Sequence, residues 1–404
     1  MRILLVTAEP PCPPLNGLGK FVWEFAREAA KQMELKALSL QLDPFLIPAD
    51  KIPPATDEQR SDYTIRIEPD GYSEESEARY LFAAHKALPA IKAILDDFKP
   101  DLIYIHSLKA WLPFRYEKNV VMAFHALTRD IIGNEIPDAF MAFQEKIELE
   151  AARKSVAVVL FSRFMEQRWR AAYGIPCRIS RLPLGIDLSG YRSAKSSDSF
   201  TIAYFGRLID RHKGYSLFLE ATRELPLRSG DGRSVQIHVY GEGEAFESAR
   251  YPQAIFHGHQ SGQALLDAFA AADCIVMPSL YEPFGIVGLE AMASGALLLA
   301  PRGQGMDEYT RPGSNSLEIE PSAESIRRRL EDVIQSPLDY YHYVKNAQED
   351  VQAWSISASV ESHLDFFKGL IEELASSPKI VNTPSVGRMI GATLAEATPR
   401  AAPA

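Results

Sequence analysis

Nine runs of four or five mostly apolar residues punctuate this chain, and they constrain its fold more than any other feature. They are Ile3–Thr7, Leu102–Ile105, Val120–Phe124, Ala157–Phe161, Thr201–Phe205, Gln236–Tyr240, Ala254–His257, Cys274–Met277 and Leu297–Ala300. Short runs apolar on both faces suit strands covered by helices on each side, the situation of parallel sheets. Between them lie segments of helical pattern: Lys20–Lys31, Gln144–Lys154, Arg163–Ala172, Ser216–Glu224, Gln263–Ala271 and Ile286–Ala293. Strand and helix alternate throughout, which predicts an α/β fold of doubly wound parallel sheets.

At 404 residues the chain exceeds one ordinary core, so two such halves facing a cleft are expected. Residues 189–199 are small and polar, as a linker should be, and a new strand begins at Phe200. The expected organisation is a first domain over 1–185, a linker over 186–199, a second domain over 200–352 and a terminal helix over 353–376. Residues 377–404, rich in Ala, Pro and Thr, read as a disordered tail. The polar, Pro-containing stretch 44–76 reads as an irregular surface excursion.

A formal net charge of −10 argues against bulk affinity for nucleic acid or an anionic membrane surface. It leaves room for a local basic pocket. No apolar run approaches the ~20 residues that span a bilayer, and the four-residue run before Thr7 is too short for a signal peptide. Peripheral membrane contact stays open. Cys12, Cys177 and Cys274 lie far apart without metal spacing, which points to a reducing, cytoplasmic setting.

The chemistry concentrates at the ends of the second-half strands. In Pro278–Gly295 a strand leads into Glu282-Pro283-Phe284-Gly285, then a helix from Ile286 carrying Glu290. Amides of Phe284, Gly285 and Ile286 at that helix start suit an anion, and Gly285 would let it approach the backbone. A carboxylate one turn inside, Glu290, can bridge vicinal hydroxyls of a ribose, whereas Glu282 on the loop can accept from a sugar. Helix-dipole complementation by Glu290 and a solvated loop acid at Glu282 are the bland alternatives. After strand Thr201–Phe205, the loop Gly206–Gly214 carries Arg207 and Lys213, two cations suited to a diphosphate, though alone it reads as a solvated loop. Gly241 closes the next strand, and His259 follows another, where a surface histidine is as plausible as a ligand.

In the first half, Gly17 and Gly19 lie between strand Ile3–Thr7 and the following helix. They match neither a nucleotide-triphosphate loop nor a dehydrogenase fingerprint, and remain a glycine loop able to touch a diphosphate from across the cleft. His106 and His125 each follow a strand and face the same cleft; strand-end hydrogen bonding is the competing reading for both.

This ordered set resembles the retaining glycosyltransferases of family 4, which have the GT-B fold of two Rossmann-like domains. The resemblance rests on Arg207 and Lys213, on Glu282-Pro-Phe-Gly followed by Glu290-Ala-Met-Ala-Ser-Gly, and on Gly305-Met306-Asp307-Glu308. Upstream, Ser162-Arg163-Phe164, Tyr173-Gly174-Ile175-Pro176 and Leu182–Asp187 follow the same order, so it covers about residues 1–375. It implies that the terminal helix crosses back to the first domain. It further implies Arg207 and Lys213 on a donor diphosphate, Glu290 on its ribose, and Glu282 with nearby amides on the sugar. His125 would lie near the sugar's hydroxymethyl group, and His106 on the acceptor side.

Departures are informative. Gln304 replaces a family glycine, and Ser316–Ile319 replaces a more apolar strand. Near Gly17 and Gly19 the chain is distantly similar to glycogen and starch synthases, but Asn16, Lys20 and Pro14 stand for their glycine, aspartate and lysine.

The expected reaction is transfer of a hexose-type sugar from a nucleotide diphosphate sugar, UDP favoured, to an unidentified acceptor hydroxyl. Without an Asp-x-Asp pair, neither metal nor other cofactor is expected. A catalytically silent nucleotide-sugar-binding protein and a nucleotide-sugar epimerase of the same fold are the alternatives. The first would bind donor without turnover; the second would change the sugar without an acceptor.

Overall fold

The computed structural model describes residues 1–12, 15–54, 61–69, 71, 73–131, 138–174, 177–243 and 251–376. The tail expected over 377–404 lies outside the described residues, as do Pro14 and the Ile175-Pro176 pair. Two all-parallel sheets form the scaffold. The first contains β1 (Arg2–Thr7), β2 (Glu34–Leu42), β3 (Tyr63–Ile67), β4 (Leu102–Ile105), β5 (Val120–Phe124), β6 (Ala157–Leu160) and β7 (Ile179–Arg181). Their spatial order is β3-β2-β1-β4-β5-β6-β7. The second contains β8 (Ser199–Phe205), β9 (Ser234–Tyr240), β10 (Ala254–Phe256), β11 (Cys274–Val276), β12 (Leu297–Ala300) and β13 (Leu317–Glu318), ordered β10-β9-β8-β11-β12-β13.

Both orders reverse direction beside the first strand of their sheet, between β1 and β4 and between β8 and β11. Crossovers on either side leave a crevice there at the carboxyl ends, where open α/β sheets bind ligands. The doubly wound expectation holds in both halves. The apolar runs are buried as their patterning requires: β4, β5, β6 and β12 are buried along their whole length.

Three departures from the sequence reading stand out. The stretch 44–76 is not wholly irregular, because Tyr63–Ile67 forms the edge strand β3, paired to β2. Strands β2 and β7 were not anticipated, and β13 falls within Ser316–Ile319, read above only as a departure from a more apolar strand. Nor was the longest helix anticipated: Ser76–Phe98 buries Tyr80, Ala83, Ala84, Ala87, Ile91, Ile94 and Phe98 along one face.

The terminal helix Ile356–Ser376 returns to the first sheet. His363 Nε2 lies 3.1 Å from the Tyr104 hydroxyl, and the Phe367 and Tyr104 rings are 5.1 Å apart. On the way the chain runs beside its own linker: Ile186 N donates to Trp354 O (3.1 Å) and Ile356 N to Ile186 O (2.8 Å). Gly185 is required here, since a Cβ would stand 2.5 Å from Ser355 O. Two adjacent strands of backbone therefore join the halves. Among the described residues, no helix is long and apolar enough to cross a membrane.

Candidate active site

A cleft of about 970 Å³ separates the carboxyl ends of the two sheets. Every site residue expected from the sequence lines it except Gly19. On the second-half side, the glycines first serve the backbone. Gly206 N donates to Tyr240 O (3.0 Å) and Gly241 N to Gly258 O (2.9 Å), knitting three strand ends together. A Cβ on Gly241 would lie 1.8 Å from Gly206 O, so only glycine lets these loops meet. The Arg207 side chain is 49% exposed and pairs with Asp210 at 2.6 Å. Lys213 ends a short turn that Gly214, at φ 71°, folds against Pro278.

Lys213 Nζ lies 2.7 Å from Glu282 Oε2, and the Glu282 side chain is only 7% exposed. The sequence reading put the cation on the diphosphate and the acid on the sugar; here they hold each other. The pair stands on the wall of the cleft, between the loop after β8 and the loop before the helix Ile286–Ala293.

At Gly285 the structure corrects the expected reason for glycine. Its φ of 86° is left-handed, and an added Cβ would come within 3.0 Å of Glu282, Met306 and Tyr309. Intraprotein packing, rather than ligand access, occupies that side. Phe284 is buried against Tyr309 and Trp354, so its backbone alone is left to face a ligand. The helix Ile286–Ala293 starts here, and its leading amides lack intrahelical acceptors.

Glu290 is buried and already engaged. Its Oε1 accepts from Lys20 Nζ (2.8 Å) and the Tyr191 hydroxyl (2.7 Å). Lys20 also lies 3.6 Å from Glu24, whose other oxygen accepts from Asp187 N (2.9 Å). Burial pushes the Glu24 carboxyl up to about 6, against the pull of Lys20. Sequence reasoning missed Glu24 and Tyr191. Lys20 was visible only as a departure, without its partner.

Across the cleft, Asn16 caps the helix Gly17–Ala29 by accepting from Gly19 N (2.8 Å). That amide is spent and Gly19 is buried, so the expected anion loop reduces to Gly17, which faces Ile286. His106 is 1% exposed, not an open acceptor group. It lies beneath His125, with Nδ1 2.9 Å from His125 Nε2. The His125 ring stacks on Phe161 at 4.4 Å. Burial lowers all three neighbouring imidazoles, His125 to about 3, His363 to about 4 and His106 well below its usual range. They stay neutral at physiological pH. His259 lies on the exposed rim.

Other positions of the ordered set clasp the halves. Ser162 Oγ donates to Pro283 O (2.6 Å), and Glu308 accepts from Arg163 N (2.6 Å). Gln304, which stands for a family glycine, donates from Nε2 to Ser279 O (2.8 Å).

A family model described as Glycosyltransferase Family 4 matches residues 15–189, and one described as Glycosyl transferases group 1 matches residues 191–350. A glycogen synthase of Mycobacterium tuberculosis is 25% identical over 260 residues, covering 58% of this chain and 61% of that protein. An uncharacterized glycosyltransferase of Methanocaldococcus jannaschii is 30% identical over 164 residues, 38% of this chain and 40% of that one. The chain thus spans less than two thirds of the length of these curated relatives. Among solved structures, sucrose-phosphate synthase from Thermosynechococcus elongatus aligns with a TM-score of 0.75 at 19% identity, over 93% of this chain and all of that one. Anabaena HepE, in complex with UDP and glucose, aligns at 0.68 and 17% identity, over 91% and 100%. Both share the fold.

Proposed function

The chain belongs to the family 4 glycosyltransferases of the GT-B fold, and from that premise we propose that it moves a hexose from a UDP-sugar to an acceptor hydroxyl. We take the transfer to be retaining and independent of metal. The observation that carries the reading is the convergence, in one interdomain cleft, of two cations, a helix start and two buried carboxylates. Arg207 and Lys213 neutralise the leaving diphosphate, helped by the amides before Ile286. These fixed cations supply the charge stabilisation that a divalent ion would otherwise provide.

Glu290 keeps one oxygen for the ribose while Lys20 and Tyr191 hold the other. Glu282 orients the sugar, and its bond to Lys213 fixes sugar and phosphate relative to each other. His125 is neutral and offers a hydrogen bond, not a charge, on the opposite face. Retention then follows a same-face course, in which the acceptor hydroxyl passes its proton to the departing phosphate oxygen as its own oxygen bonds to the anomeric carbon. The preference for UDP draws support from the UDP complex of HepE. A cytoplasmic setting fits three cysteines that form no disulfide with one another.

Calorimetry and turnover with UDP-, GDP- and ADP-hexoses, each with and without EDTA, test the proposal, with the product anomer read by NMR. Lys213→Met should lower kcat by on the order of 10²–10³. If no nucleotide sugar binds, the reading fails.

A further inference from the structure

The cleft extends beyond the donor residues into an arm of the first half that has a different chemistry. Its walls come from four separate segments at carboxyl strand ends: Phe45 after β2, Tyr80 on the helix Ser76–Phe98, Leu108 after β4, and Phe140, Phe143 and Ile147 on the helix Asp138–Lys154. The rings are mutually organised. Phe45 and Phe140 stack at 5.7 Å with 30° between planes, and Phe140 and Phe143 at 6.1 Å with 26°. Tyr80 meets Phe45 edge-on at 5.2 Å. Phe45 and Phe140 are partly exposed, whereas Tyr80, Phe143 and Ile147 are buried behind them.

Some of the arm's polar groups are committed to the protein, whereas Glu148 Oε1 is buried without a partner and Lys109 Nζ lies 5.2 Å over the Phe45 ring. The Tyr80 hydroxyl donates to Leu108 O (3.3 Å). Glu148 Oε2 accepts from Thr128 N (3.1 Å) and from the Tyr173 hydroxyl (2.8 Å). The partly exposed faces of Phe45 and Phe140 suit a flat aromatic ring, since paired π systems attract beyond the burial of their area.

We propose that this arm is the acceptor site and that it takes an alcohol carrying an aromatic ring, the ring lying on Phe45 and Phe140. The arm and the His125 and Lys213 groups line one continuous cleft, so a ring held there directs its hydroxyl toward the transferring centre. The assignment of donor and acceptor sides rests on the glycosyltransferase reading above; ring binding itself does not.

The experiment measures binding of 4-nitrophenyl β-glucoside, octyl β-glucoside and methyl β-glucoside to the full chain by calorimetry, without donor. The aryl glucoside should bind at least about tenfold tighter than the methyl glucoside, since 1.4 kcal/mol is a factor of ten. Phe140→Ala and, independently, Phe45→Ala should each lose about that factor, and Phe140→Tyr should retain it. Thermal melting followed by circular dichroism separates lost binding from lost folding. Equal binding of methyl and aryl glucosides, tighter binding of the octyl glucoside, or indifference to both alanine variants would overturn the proposal. Because donor binding is titrated separately, failure of the donor reading would leave this result standing, and the reverse.

Discussion

Lys20→Met is the sharpest single test of how the two halves are held across the cleft. The substitution keeps the side chain's length and removes its charge. In the native protein Lys20 Nζ lies 2.8 Å from Glu290 Oε1 and 3.6 Å from Glu24 Oε1, with side chains 13%, 6% and 15% exposed respectively. Removing one partner of a buried ion pair leaves an uncompensated charge and costs about 3–5 kcal/mol. Tyr191 still donates to Glu290, so the low end, about 3 kcal/mol, is expected. At roughly 2–4 °C per kcal/mol for a domain of about 150–250 residues, melting should fall by roughly 6–12 °C. Scanning calorimetry of the ligand-free protein at neutral pH reads this directly. Lys20→Met/Glu290→Gln removes both charges and should melt above Lys20→Met alone, a coupling that independent sites would not show. A single variant within about 1 °C of the native protein, or strict additivity in the double variant, would refute the reasoning.

Three further outcomes follow from the same geometry. Burial lifts the Glu24 carboxyl from 4.5 to about 6, so the native state holds its proton more tightly. That contribution is full below about 4.5 and is lost as pH rises through about 6, worth about 2 kcal/mol at 1.36 kcal/mol per pH unit. Glu24→Gln keeps an acceptor for Asp187 N and should therefore stabilise the protein at pH 7; urea unfolding showing the reverse would count against it. The histidines act with the opposite sign: with His363 lowered from 6.5 to about 4, stability present above 6.5 is lost as pH falls, about 3 kcal/mol from this group. NMR should accordingly find the His106, His125 and His363 rings untitrated between pH 5 and 8, and a titration of any near 6.5 would contradict their burial. Gly241→Ala sets a Cβ 1.8 Å from Gly206 O and should cost about 1–3 kcal/mol while displacing Arg207; native melting and native donor affinity in that variant would show the contact is not constraining.

The fold was legible wherever burial and apolarity coincide. Strands β4, β5 and β12 begin and end where the sequence pattern places them, because each is apolar on both faces and covered on both. Strand β2 escaped that criterion, since Lys36, Ser39 and Gln41 interrupt its run. Yet Ser39 and Gln41 are buried and satisfy one another: Ser39 Oγ donates to Glu9 O (2.9 Å), and Gln41 Nε2 donates to Ser39 Oγ (3.0 Å). Edge strand β3 then depends on β2 for its existence, and its Arg66 reaches back to Gln41 Oε1 (2.7 Å). The helix Ser76–Phe98 was hidden by the three alanines among its seven buried residues, by Pro89 on its exposed face, and by a start without a side-chain cap.

The site divides along the same physical line. The residues proposed to bind the donor come in short windows, because a strand end, its loop and the next helix start are contiguous in the chain, and one turn of helix fixes where Glu290 stands relative to Gly285. Everything that crosses the cleft needs two distant windows at once. Lys20 and Glu290 are 270 residues apart, and only their contact turns an odd substitution in a glycine loop into a clamp on the Glu290 carboxylate. The aromatic arm is more dispersed still, since its rings come from three segments whose individual phenylalanines read as ordinary core. A leaving group is the same for every enzyme using a given donor, so its recognition can be local and repeated. An acceptor differs from enzyme to enzyme, and its pocket is assembled from whichever side chains the loops of the first sheet happen to bring together.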